Sequence, residues 1–81
     1  MITIKILGAG CAKCRKLEVK VKELINKYNI NAEVVKIQDL NEMIKYGIMM
    51  TPALVINEKL KSFGNIPKDE QIINWIKEEI L

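Results

Sequence analysis

Two cysteines, Cys11 and Cys14, stand two residues apart where the apolar pattern of the chain changes period, and they are the only cysteines in its 81 residues. Before them, Ile2 to Leu7 is a β-branched, strand-like run, and Gly8-Ala9-Gly10 reads as a turn. After them, apolar positions recur at helical spacing. A strand that passes through a glycine turn straight into a helix puts Cys11 at the helix N-terminus. Unpaired backbone N–H groups and the helix macrodipole favour an anion there, and a thiolate is such an anion. An ordinary thiol, with a pKa of about 8.5, needs about 2 kcal/mol of thiolate stabilisation to ionise near neutrality. A helix N-terminus supplies about 0.3 to 1 kcal/mol, and up to about 2 in favourable geometry. Lys13 and Arg15 add positive potential, and no carboxylate precedes Glu18 in the helix.

Stapling is a poor reason for this pair, because closing so short a loop stabilises by only about 2 kcal/mol before strain. The chain does not need a staple. Its hydrophobic fraction of 49% against 28% charged residues is that of an ordinary globular protein. Residues 1–81 make one domain, whose fold would bury about 60% of the unfolded surface. A net charge of +3 with scattered lysines is no nucleic-acid footprint. With no apolar run approaching 18 residues, no membrane span is expected, and the first residues lack the pattern of an export signal. The expected compartment is the cytoplasm, where a Cys-x-x-Cys is catalytic or metal-binding more often than structural. Histidine is absent, which excludes a Cys–His nucleophile pair and any His-ligated metal.

Leu17, Val21, Leu24, Ile25 and Tyr28 form one face of a helix from about Ala12 to Lys27, with Lys16, Lys20, Glu23 and Lys27 on the wet side. Asn29-Ile30-Asn31 breaks it, and Ala32 to Ile37 is a second strand, parallel to the first because a helix joins them. Asp39 is placed to cap a short helix that turns Leu40, Met43 and Ile44 inward and stops at Gly47. Thr51-Pro52 precedes a third strand, Ala53 to Ile56. Asn57-Glu58-Lys59 is a hairpin-length connection to a fourth, Leu60 to Phe63. Pro67 suits the first position of a last helix whose buried stripe is Ile72, Ile73, Ile76 and Ile80. Tyr28, Phe63 and Trp75 read as packing residues. Strand parity separates Ile2, Ile4 and Ile6 from Thr3, Lys5 and Leu7, so Lys5 either snorkels out beside a helix or tunes the cysteine site. Met49 and Met50 offer either ordinary packing or an adaptable apolar rim.

Taken together, Gly-x-Gly-Cys-x-x-Cys after strand one, the helix beginning there, Thr-Pro before strand three and the βαβαββα order resemble the thioredoxin/glutaredoxin superfamily. Within it the chain is most similar to small archaeal and bacterial thioredoxin-like proteins, called redox-active disulfide proteins, here with a Cys-Ala-Lys-Cys motif. The resemblance implies an α/β fold with helices on both faces of a four-stranded mixed sheet ordered 2-1-3-4. It also implies a cis Thr51-Pro52 bond. By the same resemblance Cys11 is the attacking cysteine, Cys14 the resolving one, Pro52 the proline that faces them, and Thr51 the residue whose backbone pairs with a bound peptide. Lys13 and Gly10 would support the site. Thioredoxins proper carry a buried carboxylate six residues before the first cysteine, and Lys5 occupies that position here.

The expected activity is cytosolic reduction of protein disulfides, with Cys11 and Cys14 as the redox-active pair and no other cofactor. A flavoprotein of the thioredoxin-reductase type would donate electrons, and the protein would be a monomer without nucleic-acid or membrane partners. Two thiolates also suit Cu(I) or Zn(II), so a soft-metal chaperone is a rival. Ferredoxin-like copper domains, however, run βαββαβ and carry a methionine where Ala9 stands. A glutathione-linked glutaredoxin is a third reading, although Gly64-Asn65-Ile66-Pro67-Lys68 lacks the Gly-Gly and acidic pair of a glutathione site. A partner-binding module that keeps the motif without turnover is a fourth.

Overall fold

The computed structural model describes residues 1–8, 10–48 and 50–80; Ala9 of the glycine turn and Met49 of the proposed apolar rim lie outside them. The elements run β1 (Ile2–Leu7), α1 (Ala12–Lys27), β2 (Ala32–Ile37), α2 (Leu40–Lys45), β3 (Ala53–Ile56), β4 (Lys59–Phe63) and α3 (Asp69–Ile80). The sheet is ordered β2-β1-β3-β4, with β1 parallel to β2 and antiparallel to β3. β1 obeys the alternation of its sequence. Ile2, Ile4 and Ile6 enter the larger core with Leu17 and Val21 of α1 and Ile72 and Ile76 of α3. Leu7 enters a smaller one with Met43, Ala53 and Val55 beneath α2. Each such fully buried aliphatic side chain contributes about 1.5 to 3 kcal/mol. This double-sided burial is why all four residues of β3 are apolar and inaccessible.

Several sequence expectations are corrected. β4 starts at Lys59, which pairs with Ile56, so the hairpin loop has two residues instead of three. Asn57 (φ 50°) and Glu58 (φ 68°) are both left-handed, the backbone of a two-residue hairpin turn. Asn57 suits that conformation and is also tied to β1. Its Oδ1 accepts from the Thr3 N–H at 3.0 Å, and its own N–H donates to the Thr3 carbonyl at 2.8 Å. In α2 only Met43 is buried, while Leu40 and Ile44 are 68% and 62% exposed. A six-residue helix has room for little more than one inward position against Leu7 and Val55. Pro67 lies just outside α3, since the first helical bond runs from the Ile72 N–H to the Lys68 carbonyl. Gln71 Oε1 accepts from the Lys68 N–H at 3.2 Å, half of a capping box. Ile80, Tyr28 and Phe63 are more than half exposed, whereas Trp75 packs on the larger core.

Lys5 neither snorkels freely nor reaches the cysteines. Its Nζ donates to Tyr46 Oη at 2.9 Å and pairs with the Glu58 carboxylate, and Tyr46 Oη donates to Glu58 at 2.6 Å. The hydrogen bond to Glu58, reinforced by Tyr46, holds the Lys5 ammonium above its ordinary pKa. The triad joins β1, the end of α2 and the β3–β4 turn.

Candidate functional site

Three chain segments meet at one end of the sheet: the exit of β1, the start of α1 and the approach to β3. Pairing of Leu7 with Ile37 on one side and Ala53 on the other brings the first and third together. The Gly8 N–H extends the β1–β2 ladder by one rung, to the Ile37 carbonyl at 2.9 Å. Gly10 then takes φ +70°, a conformation that costs a residue with a Cβ about 1 to 2 kcal/mol. Among the described residues nothing lies within 4 Å of where its Cβ would stand, so its contribution there is conformational.

Cys11 is the N-cap of α1, with φ −70° and ψ 164°. Its carbonyl accepts the first helical bond, from the Arg15 N–H at 3.0 Å. Its Sγ accepts from the Cys14 N–H at 3.1 Å, the bond a capping serine would make. No acidic residue occupies the first turn, and Lys13 and Arg15 are exposed on it. Cys11 and Cys14 form a disulfide with their Cα atoms 5.0 Å apart. The two sulfurs differ in access: Cys11 is exposed, Cys14 only 4% so.

Thr51 approaches the buried sulfur, since a Cβ on Gly8 would meet both Cys14 Sγ and Thr51 Cβ, and Pro52 follows it in the chain. The Thr51–Pro52 peptide bond is cis, Pro52 is fully buried, and Thr51 is exposed. The Pro52 carbonyl accepts from the Gly64 N–H at 2.9 Å, which ties the end of β4 to this segment. Met50 packs over Gly64, whose Cβ, if it had one, would lie 3.3 Å from the methionine, and is otherwise 58% exposed. Behind Cys14 is a cavity of about 10 Å³, lined by Ile6, Gly8, Gly10, Cys14, Arg15, Glu18 and Lys36. Glu18 is bound by Lys22 at 2.9 Å and Lys36 at 3.5 Å. The Lys22 hydrogen bond, with help from Lys36, holds its carboxyl below the usual carboxylate range.

Of the residues expected at the site, Cys11, Cys14, Thr51, Pro52, Gly10 and Lys13 all belong to these three segments. Two participants were not read from the sequence. Gly8 looked like a turn residue, yet a Cβ there would overlap Cys14 Sγ and lie 3.5 Å from Thr51 Cβ. Its signal was a glycine ending a strand directly before the motif, where a backbone is approached closely. The Glu18–Lys36 pair carries no sequence signal, because it depends on which β2 residue lies over the second turn of α1.

An exposed sulfur on a helix cap, a buried sulfur bonded to it and a cis-proline on the approach to β3 define a dithiol–disulfide centre on a thioredoxin fold. A family model described as "Thioredoxin domain" matches residues 2–77. Two curated relatives, both named thioredoxin, come from archaea. The one from Methanocaldococcus jannaschii is 35% identical over 95% of this chain and 88% of its own length. The one from Methanothermobacter thermautotrophicus is 33% identical over 89% of this chain and 94% of its own length. Among solved structures, a mutant thioredoxin from Halobacterium salinarum superposes with a TM-score of 0.75 at 20% identity, over 95% of this chain and 73% of that one. The chain belongs to the thioredoxin superfamily. With its Cys11–Cys14 pair it is a thiol–disulfide oxidoreductase. Among the described residues no helix is long and apolar enough to cross a membrane, and no three His, Cys, Asp or Glu side chains gather as a metal site.

Proposed function

We propose that the protein is a reductase of protein disulfides. The observation that carries this reading is the unequal access of the two sulfurs, with Cys11 open to solvent on the helix cap and Cys14 closed behind it. In the dithiol form, the Cys11 thiolate attacks one sulfur of a substrate disulfide. A Cys11–substrate bond forms, the substrate S–S bond breaks, and the departing substrate sulfur leaves as a thiolate that takes a proton from water. Cys14 then loses its proton and attacks Cys11 Sγ. The Cys11–Cys14 bond forms and the second substrate thiolate leaves, so that two electrons have passed to the substrate. The helix N-terminus favours the attacking anion. Thr51, beside Gly8 and Cys14, offers its backbone to an extended substrate segment, and Lys13 adds positive potential to the rim.

A flavoprotein of the thioredoxin-reductase type regenerates the dithiol, no cofactor beyond the cysteine pair takes part, and the protein works as a monomer in the cytoplasm. The archaeal relatives named thioredoxin support the substrate and donor assignments. The test is reduction of insulin disulfides with dithiothreitol as electron source. Wild type should accelerate precipitation of the insulin B chain and Cys11→Ser should not, while Cys14→Ala, reduced and freed of dithiothreitol before it meets insulin, should accumulate a covalent adduct with substrate that added dithiothreitol then releases. Equal rates for wild type and Cys11→Ser would refute the assignment.

A further inference from the structure

We propose that Gly8 is the positioning residue for the resolving step, its missing side chain being the space into which the Cys14 sulfur fits. This rests on the dithiol-exchange reading above and adds to it the residue that decides where the second sulfur waits. A Cβ built on Gly8 would overlap Cys14 Sγ, stand 3.3 Å from Cys14 Cβ and 3.5 Å from Thr51 Cβ. The backbone at Gly8 cannot yield easily, because its N–H is the last rung to β2. Cys14 Cβ is equally fixed, sitting in the first turn of a 16-residue helix. The group left to move is the sulfur, by rotation about the Cys14 Cα–Cβ bond, and that rotation takes it off the line to Cys11. Gly10, two residues on, has no atom of the described residues within 4 Å of its Cβ position and no such role. The two glycines of Gly-x-Gly therefore divide the work: one gives room to a sulfur, the other gives the chain its turn.

In the resolving step the Cys14 thiolate attacks Cys11 Sγ, the Cys11–substrate bond breaks, and the substrate sulfur leaves with the electron pair. Attack needs the two sulfurs aligned. Displacement of a reacting atom by about 1 Å costs up to about 100-fold in rate. Gly8→Ala should therefore slow this step by about 10- to 100-fold and leave the first attack within about twofold, since that attack is made by the Cys11 sulfur from the exposed side of the pair and needs no particular Cys14 rotamer.

The experiment uses the reduced full chain and DTNB, an aromatic disulfide whose departing thiolate is coloured. The first equivalent of colour reports attack by Cys11, and the second reports closure by Cys14. In Gly8→Ala the second phase should lag behind a near-normal first. Two phases at wild-type rates, or both slowed alike, would overturn the proposal, since a merely structural glycine would not separate them. If Gly8→Ala does not fold, combining it with Cys14→Ala should recover stability relative to the single variant, because the overlap with the sulfur is then gone and only the 3.3 Å contact with the Cβ of residue 14 remains. A double variant as unfolded as the single one would overturn the proposal as well. Failure of the exchange reading itself would be seen beforehand, as a wild type that releases one equivalent and never closes.

Discussion

With Cys14→Ala as background, Cys11 is the one thiol that titrates, and the helix cap should then show itself as pH-dependent stability. In this structure Cys11 Sγ accepts the Cys14 backbone N–H at 3.1 Å, a bond that residue 14 retains as alanine. A hydrogen bond to a charged acceptor is worth about 1 kcal/mol more than one to a neutral acceptor. The positive end of α1 adds about 0.3 to 1 kcal/mol. The folded single-thiol variant should thus favour the thiolate by about 1 to 2 kcal/mol, and a Cys11 pKa below that of an unfolded thiol is the expected outcome. For an acid whose folded pKa is depressed, the stabilisation is present above the unfolded value and is lost as pH falls through the folded one. Raising the pH from neutral to beyond the ordinary thiol value of about 8.5 should therefore stabilise the single-thiol variant relative to a Cys11→Ser, Cys14→Ala control. With 81 residues at about 2.1 cal/mol/K each, 1 to 2 kcal/mol corresponds to a Tm difference of about 6 to 12 °C. Thermal melts by circular dichroism measure it, and thiolate absorbance locates the titration independently. A Tm difference that stays flat across the range, or an absorbance midpoint at or above the ordinary thiol value, would refute the cap argument.

Acid should destabilise the protein through carboxylates paired with lysines, Glu18 and Glu58 among them. Glu18, hydrogen-bonded by Lys22, and Glu58, hydrogen-bonded by Lys5, both have lowered pKa values, so their stabilisation is present above the ordinary value of 4.5 and lost as pH falls through the folded ones. Urea melts should give a falling midpoint below that pH, with Lys5→Met flattening part of the slope; a midpoint independent of pH would contradict both pairings. Gly10→Ala should cost about 1 to 2 kcal/mol by its positive φ alone and leave both phases of DTNB reduction near wild type. A selective loss of the second phase would mean that Gly10, and not only Gly8, bears on Cys14.

Legibility followed the physics of each signal. The ends of α1 were plain because a glycine turn and a run of regularly spaced apolar residues mark them, and the direction of β2 followed from the helix before it. The sheet order and the partner segment at Thr51 came from family resemblance, since no local rule specifies which strand β1 pairs with. The hairpin register was missed because Glu58 is not a residue that turn chemistry favours at positive φ. What holds it there is Lys5 and Tyr46, from far along the chain. Leu40 and Ile44 misled because apolar spacing says which residues share a helix face, not how much of a six-residue helix is covered. Gly8 was visible as a glycine and invisible as a contact, because its neighbour is a sulfur six residues on and a threonine 43 positions away.

The fate of Lys5 bears on the chemistry at the other end of the strand. The resemblance to thioredoxins proper would put a buried carboxylate at that position. Here the position holds a cation committed to Glu58 and Tyr46, so the proton of Cys14 has no acceptor on β1. Of the residues lining the cavity behind Cys14, the one carboxylate is Glu18, held ionised by Lys22 and Lys36. A carboxyl below its ordinary 4.5 is a poor base for a thiol of about 8.5: the transfer is uphill by more than about 5 kcal/mol. Glu18 is therefore a counter-charge, and its ionisation, read by the acid titration above, neutralises cations that would otherwise surround the buried sulfur. The groups able to take the Cys14 proton during resolution are water and the leaving thiolate. A leaving thiolate matches the proton affinity of Cys14 far better than Glu18 does, so proton and electron pair are exchanged between sulfurs of similar basicity, and the site needs no carboxylate base to close its disulfide.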